Sequence, residues 1–188
     1  VEAMERLKQK GKIRYWGLSL NTFHPEVEAD HMISKNIGDG FQLVFNIINQ
    51  RALHTIEQAS LNGYGVIARM PLQFGLLTGK FSREARFTET DHRSFRLTGE
   101  VMDKALNILE GKVWPLADKL KMTKTSLALN FILSVPGIST VIPGIRTPEH
   151  VIQNTEGIKS LEHEEMQYLL SLSQTDWKEV VQLMQELG

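Results

Sequence analysis

Apolar and polar positions change period repeatedly along this chain. In residues 2–10, EAMERLKQK, Met4 and Leu7 share one face among charges, which predicts an amphipathic helix. Gly11 just beyond suits a helix stop. Residues 12–18, KIRYWGL, predict a strand. A loop follows, then a helix with Pro25 near its first turn. Residues 41–45, FQLVF, predict a second strand, 52–62 a helix ended by Gly63, and 65–69 a third strand. Residues 70–96 have no sustained period, and so long an irregular stretch is usually functional or mobile. Helices are predicted near 97–121 and 125–135, a fourth strand at 138–142, and helices at 147–158, 161–173 and 175–186.

Strands alternating with helices predict βαβ units, an α/β fold with a parallel sheet, and both sheet faces covered by helices. Ligands of such folds bind beyond the C-terminal ends of the strands. The length, 188 residues, is that of one domain with a substantial core, and no second domain is expected within 1–188. Lys plus Arg is 21 and Asp plus Glu is 22, a formal charge of -1, so neither nucleic acid nor an anionic membrane surface is an expected partner. With no cysteine, disulfides, thiolate metal sites and cysteine nucleophiles are excluded. No apolar run approaches the roughly 20 residues of a bilayer span. The expected home is a reducing cytoplasm, and no metal is expected at the six dispersed histidines.

The predicted strand ends carry polar, Gly-rich or Pro-rich sequence. Ser19 and Asn21 follow the first strand, Gln42 lies within the second, and Asn46 ends it. Arg69, Met70, Pro71 and Leu72 follow the third and lead into GLLTGK at 75–80. At the fourth junction Thr147 suits a helix cap and Pro148 the first helical position. That helix N-terminus beside Arg146, with Gly144 allowing close approach, is a candidate anion site. Helical spacing puts His150, Gln153 and Asn154 on neighbouring parts of one surface near it. GLLTGKF is not a Walker loop: three residues separate its glycines, and Phe81 follows the lysine. No G-x-G-x-x-G follows a strand, and H-E-x-x-H and G-x-S-x-G are absent. The Lys- and Arg-rich stretch 80–96 reads either as a solvated flexible loop or as an anion-facing lid.

Four segments together resemble the aldo-keto reductases. GKIRYWGLSLNTF is similar to that family's fifth-strand segment, GKIR-x-x-G-x-S-N, and FQLVFNIINQR to its sixth strand. GVIARMPLQFGLLTGKF resembles the seventh strand and its loop, P-L-x-x-G-x-L-T-G-K. STVIPGIRTPEHVIQN resembles the eighth strand and its helix, I-P-G-x-R-x-x-x-Q-x-x-x-N. Order and spacing agree across the whole chain. The resemblance implies half of a TIM (β/α)8 barrel, from the fifth strand onward, with extra C-terminal helices.

It also implies an NADP-dependent oxidoreductase reducing aldehydes or ketones in the intact parent. Ser19, Asn21 and Gln42 would bind or line the carboxamide of the nicotinamide, with Arg69 against its ring. Pro71, Leu72, Gln73, Gly75, Leu77 and Lys80 would wrap the pyrophosphate side. Gly144 and Arg146 would take the adenosine 2′-phosphate, with His150, Gln153 and Asn154 near it or the adenine. Leu20 interrupts the family's Ser-Asn pair, and His150 replaces its Gln. The family's catalytic Asp, Tyr, Lys and His belong to earlier strands. Tyr15, Tyr64, Lys12 and Lys80 do not match their motifs, so this chain is expected to carry no catalytic residue. A half barrel has two open edges, so pairing with an N-terminal half or self-association is expected. Two other readings stand beside the reductase: a non-catalytic nucleotide-binding or regulatory module, and an inactive remnant.

Overall fold

The computed structural model describes residues 1–188. Its centre is a sheet of four parallel strands: β1 (Gly17–Ser19), β2 (Gly40–Val44), β3 (Gly65–Arg69) and β4 (Thr140–Ile142). They are hydrogen-bonded in the order β1-β2-β3-β4, each beside its neighbour in sequence. A doubly wound sheet reverses direction part-way, whereas a (β/α) barrel advances in one direction, as here.

The register sorts the side chains into two faces. Leu18, Phe41 and Val66 form one row, and Leu43, Ala68 and Val141 another. Phe41, Val66, Leu43 and Ala68 are buried on the side of α2 (Pro25–Lys35) and α3 (Leu53–Leu61), where Phe41 stacks on Tyr64 at 4.9 Å. The intervening row, Ser19–Gln42–Ile67–Thr140, points the other way, and Ser19, Ile67 and Thr140 are exposed. The expectation that both faces are covered is therefore corrected. Crossovers of one hand between strands that advance in one direction place their helices on one side. β1 and β4 are each paired along one edge only.

Glycines set the approach of the first three strands. A Cβ on Gly40 would stand 2.6 Å from the Gly65 carbonyl oxygen, and one on Gly17 2.2 Å from that of Gly40. Gly40→Ala is expected to cost about 1–3 kcal/mol by forcing β2 and β3 apart. Its urea midpoint should fall; an unchanged midpoint would mean that the strands part freely.

Several predicted elements are shortened or broken. The first strand begins at Gly17 rather than residue 12. Before it, Trp16 N donates to Asp39 Oδ2 at 3.0 Å and Lys8 Nζ to Asp39 Oδ1 at 2.6 Å, so a carboxylate takes the place of a ladder. The Lys8 hydrogen bond, followed by that of Trp16, holds the Asp39 carboxyl below its ordinary range. The predicted helix 97–121 is α5 (Gly99–Ile108), a π-turn at Leu109–Val113 and α6 (Trp114–Lys119). Pro115 lacks the N–H that a continuous helix requires there. In the stretch 70–96 the chain forms a 3₁₀ turn, Gln73–Thr78, and a short helix α4 (Arg93–Arg96). α7 (Lys124–Leu133), α8 (Pro148–Thr155), α9 (His163–Ser171) and α10 (Trp177–Glu186) lie near their predicted positions, as does α1 (Glu2–Gln9). No helix is long and apolar enough to cross a membrane.

Candidate functional site

The loop after β3 is locally strained. Met70 (φ 54°), Gln73 (φ 43°) and Phe74 (φ 56°) all lie in the left-handed region, which non-glycine residues rarely enter. Such strain persists only where surrounding contacts over-determine it, and it clusters at functional sites. Asn46, wholly buried at the end of β2, supplies those contacts. Its Nδ2 donates to Met70 O at 3.0 Å and to Gln73 Oε1 at 2.8 Å. Its Oδ1 accepts from Ile48 N at 3.0 Å and Asn49 N at 2.9 Å.

Beyond the C-terminal ends of β3 and β4 lies a cavity of about 750 Å³. Met70, Pro71, Leu72, Phe74, Gly75, Thr78 and Lys80 form one wall, and Ile142, Gly144, Arg146, His150, Gln153 and Asn154 the opposite one. The α8 wall is held by its own hydrogen bonds. Thr147 Oγ1 caps the helix by accepting from His150 N at 3.4 Å, and Arg146 N donates to His150 Nδ1 at 3.2 Å. Asn154 Nδ2 donates to Gly144 O at 3.3 Å. Glu149, in the first turn, has its carboxyl held below the ordinary range, chiefly by a hydrogen bond from Thr147. A side chain on Gly144 would meet no atom within 4 Å, so the backbone is open to a ligand there.

Part of the 80–96 stretch closes this cavity. Phe81, Thr88, Thr90, Asp91, His92 and Arg93 all line it. Arg93 lies over Phe87 at 4.6 Å from the ring centre and donates through Nε to both Asp91 oxygens at 3.0 Å. Arg83 is clamped to Glu110 at 3.1 and 2.8 Å and to Asn107 at 2.7 Å. The Arg93 guanidinium lowers the Asp91 carboxyl from its ordinary 3.8 to about 2. A group depressed on folding supports the folded form fully above its unfolded value and loses that support as pH falls through its folded value. The Asp91–Arg93 link is thus expected to persist at pH 4 and to release toward pH 2. The Asp91 carboxyl carbon shift should titrate near 2; titration near 3.8 would mean that the link is absent in solution.

The remaining candidates are placed elsewhere. Ser19 and Gln42 sit together on the bare face of the sheet, Ser19 Oγ donating to Gln42 Oε1 at 3.3 Å. Asn21 Oδ1 accepts from Phe23 N at 2.9 Å and His24 N at 3.0 Å, fixing the turn before α2. Arg69 lines a smaller, adjacent cavity of about 140 Å³ that shares Met70 and Phe74 with the larger one. Gln73 and Leu77 are buried and line no part of the large cavity. The Gln73 side chain is taken up by Asn46 and by Met184 Sδ and borders the smaller cavity instead. Trp177 is fully buried and packs in the core. Asp91, Arg93 and Thr125 of α7 also line the cavity and were not singled out in the sequence. No group of three or more His, Asp or Glu is placed to hold a metal ion.

A model of the Aldo/keto reductase family matches residues 1–174. The chain belongs to the aldo/keto reductase family. Among curated relatives, it is 28% identical over 178 residues to an uncharacterized oxidoreductase of Bacillus subtilis, covering 94% of this chain and 55% of that protein. It is also 28% identical over 173 residues to a probable voltage-gated potassium channel subunit beta of Arabidopsis thaliana, covering 84% and 51%. A glycerol dehydrogenase from Gluconobacter oxydans superposes with a TM-score of 0.75 at 25% identity, over 91% of this chain and 52% of that one. An aldo-keto reductase from Bacillus halodurans, solved in holo form, gives 0.71 at 22%, over 92% and 54%. The chain thus spans about half the length of the relatives that it matches.

The aldo/keto reductase family implies a nicotinamide dinucleotide, and the donor set of the large cavity fits one. Lys80, Arg93 and Arg146 line it against one carboxylate, Asp91, which is already tied to Arg93. An elongated anion suits that balance, and the volume lies within the range of small-ligand and cofactor sites.

Proposed function

We propose that this chain is the nucleotide-holding half of an NADP-dependent carbonyl reductase, residues 1–188 forming one unit of a (β/α)8 barrel. The observation that carries this reading is the large cavity: strained loop on one side, capped α8 on the other, and an excess of cations between them. Gly144, Arg146 and the first turn of α8 hold the adenosine 2′-phosphate, with His150, Gln153 and Asn154 beside the adenine. Pro71, Leu72, Gly75 and Lys80 line the pyrophosphate path, with Gln73 and Leu77 buried behind it. Arg69 lies at the nicotinamide end, and Ser19, Asn21 and Gln42 provide its polar partners. A bound reduced nicotinamide supplies hydride to an aldehyde or ketone. The fixed cation at Arg146 favours NADP over NAD, because the extra phosphate is doubly charged.

The proton-transferring groups of the reaction lie outside this segment in our reading, in keeping with its span of about half of its relatives. The bare sheet face and the open edges of β1 and β4 then meet the other half of a barrel or a second copy. A reducing cytoplasmic setting suits a chain without cysteine. The similarity to channel beta subunits favours one other reading, nucleotide binding without turnover. Thermal unfolding with and without NADP tests the proposal. A Kd near 1 μM corresponds to about 2.7 kcal/mol of stabilisation at a hundredfold excess. No shift at millimolar NADP would reject nucleotide binding by this chain.

A further inference from the structure

The turn that opens α8 is closed from both sides. Thr147, at the N-cap, accepts from His150 N at 3.4 Å through its Oγ1. In return the His150 ring reaches back, and its Nδ1 accepts from Arg146 N at 3.2 Å. Reciprocal bonding of this kind is a capping box, in which Glu or Gln three residues after the cap ordinarily supplies the returning acceptor. Here the return goes one residue further back, to the amide of Arg146, and an imidazole makes it. The aldo-keto reductase pattern has Gln at this position, where this chain has His150. Both bonds lie between residues 146 and 150, within one turn of chain.

The direction of the second bond fixes the state of the ring. A backbone N–H only donates, so Nδ1 is the acceptor and carries no proton. In the neutral imidazole the proton then sits on Nε2. The bond also bears on the cation beside it. Arg146 is exposed and lines the large cavity together with His150. Two side-chain contacts anchor the segment that carries it: Asn154 Nδ2 donating to Gly144 O at 3.3 Å, and His150 Nδ1 accepting from Arg146 N. Without the second, the Arg146 backbone has to be ordered when a ligand binds, and that ordering weakens whichever ligand uses the guanidinium.

We propose that His150, as the tautomer with its proton on Nε2, is a positioning residue: by holding the Arg146 amide it presents the guanidinium to the 2′-phosphate and so sets the preference for NADP over NAD. The inference rests on the nucleotide reading of the large cavity. It adds a role for the ring that is carried through Arg146 and is separate from any contact between the ring and the adenine.

Nitrogen-15 NMR of the chain at about pH 8, above the ordinary range of imidazole, reads the tautomer. His150 Nδ1 should resonate as the unprotonated nitrogen and Nε2 as the protonated one. The reverse tautomer, or an equal mixture, would overturn the proposal. Calorimetric titration of NADP and NAD reads the consequence. His150→Asn keeps an acceptor, Oδ1, at the place of Nδ1, and His150→Leu has none. The ratio of the two affinities cancels any contact with the adenine, which both nucleotides share. His150→Leu should lower the NADP-to-NAD ratio by at least about fivefold, the scale of one lost hydrogen bond. His150→Asn should keep the ratio at least about threefold above that of the Leu variant. A ratio unmoved by His150→Leu, or lowered equally in both variants, would overturn the proposal. Should His150→Leu fail to fold, the tautomer decides. If NADP does not bind the unsubstituted chain, the nucleotide reading falls and takes the positioning role with it. If NADP binds and the ratio does not move, the role of His150 alone falls.

Discussion

Arg146→Ala is expected to weaken NADP binding by about ten- to a hundredfold while leaving NAD within about twofold. A hydrogen bond to a charged group contributes about 1.5–3 kcal/mol, and each 1.4 kcal/mol is about tenfold in affinity. Arg146 is exposed and makes no ion pair within the protein, so its guanidinium is free for a phosphate. The variant should fold normally, because the contact that shapes the loop is made by the backbone: Arg146 N donating to His150 Nδ1. Screening by salt lowers the loss, so the measurement belongs at low ionic strength. Calorimetric titration of both dinucleotides checks it. Equal losses for the two would make Arg146 a shaping residue of the β4–α8 loop and not the reader of the 2′-phosphate.

Asn46→Leu is expected to cost about 3–4 kcal/mol of stability and to abolish nucleotide binding. The number of side-chain heavy atoms is conserved, so most of the cost comes from polar groups left behind, with some from the bulkier methyls. Met70 O and Gln73 Oε1 lose a donor, and the backbone N–H groups of Ile48 and Asn49 lose an acceptor. Each buried orphan costs about 1–3 kcal/mol before relaxation, and neighbouring losses do not add fully. The same bonds hold Met70, Gln73 and Phe74 in left-handed conformations. Without them the loop relaxes to ordinary backbone angles, and the wall of the cavity moves. Urea unfolding reads the first effect and an NADP titration the second. A variant destabilised by less than about 1 kcal/mol would place the origin of the strained loop elsewhere.

What was legible in the sequence was local. Thr147 and Pro148 predict the start of α8, and the structure puts the Thr147 cap and Pro148 there. The four strands follow from short apolar runs bounded by turn residues, and the four motifs together point to the family that the match over residues 1–174 shows. What was not legible depends on distant partners. Whether a sheet face is covered follows from the side on which the crossovers pass, which no strand encodes by itself. Gln73 and Leu77 read as loop residues beside a ligand. The positive φ values at Gln73 and Phe74 rotate the turn instead, carrying Gln73 to Asn46 and Met184 and Leu77 into the core. The pairing of Asp91 with Arg93 spans two residues, yet its placement against the cavity depends on Phe81 and Phe87 packing beneath the guanidinium.

Amide hydrogen exchange of the chain with and without saturating NADP tests the central claim most directly. Binding in the large cavity should slow exchange in three segments far apart in sequence: 70–80, 88–93 and 142–154. Exchange in α9 and α10 should stay unchanged. Protection confined to other segments, or none at all, would contradict the assignment of this cavity to the nucleotide.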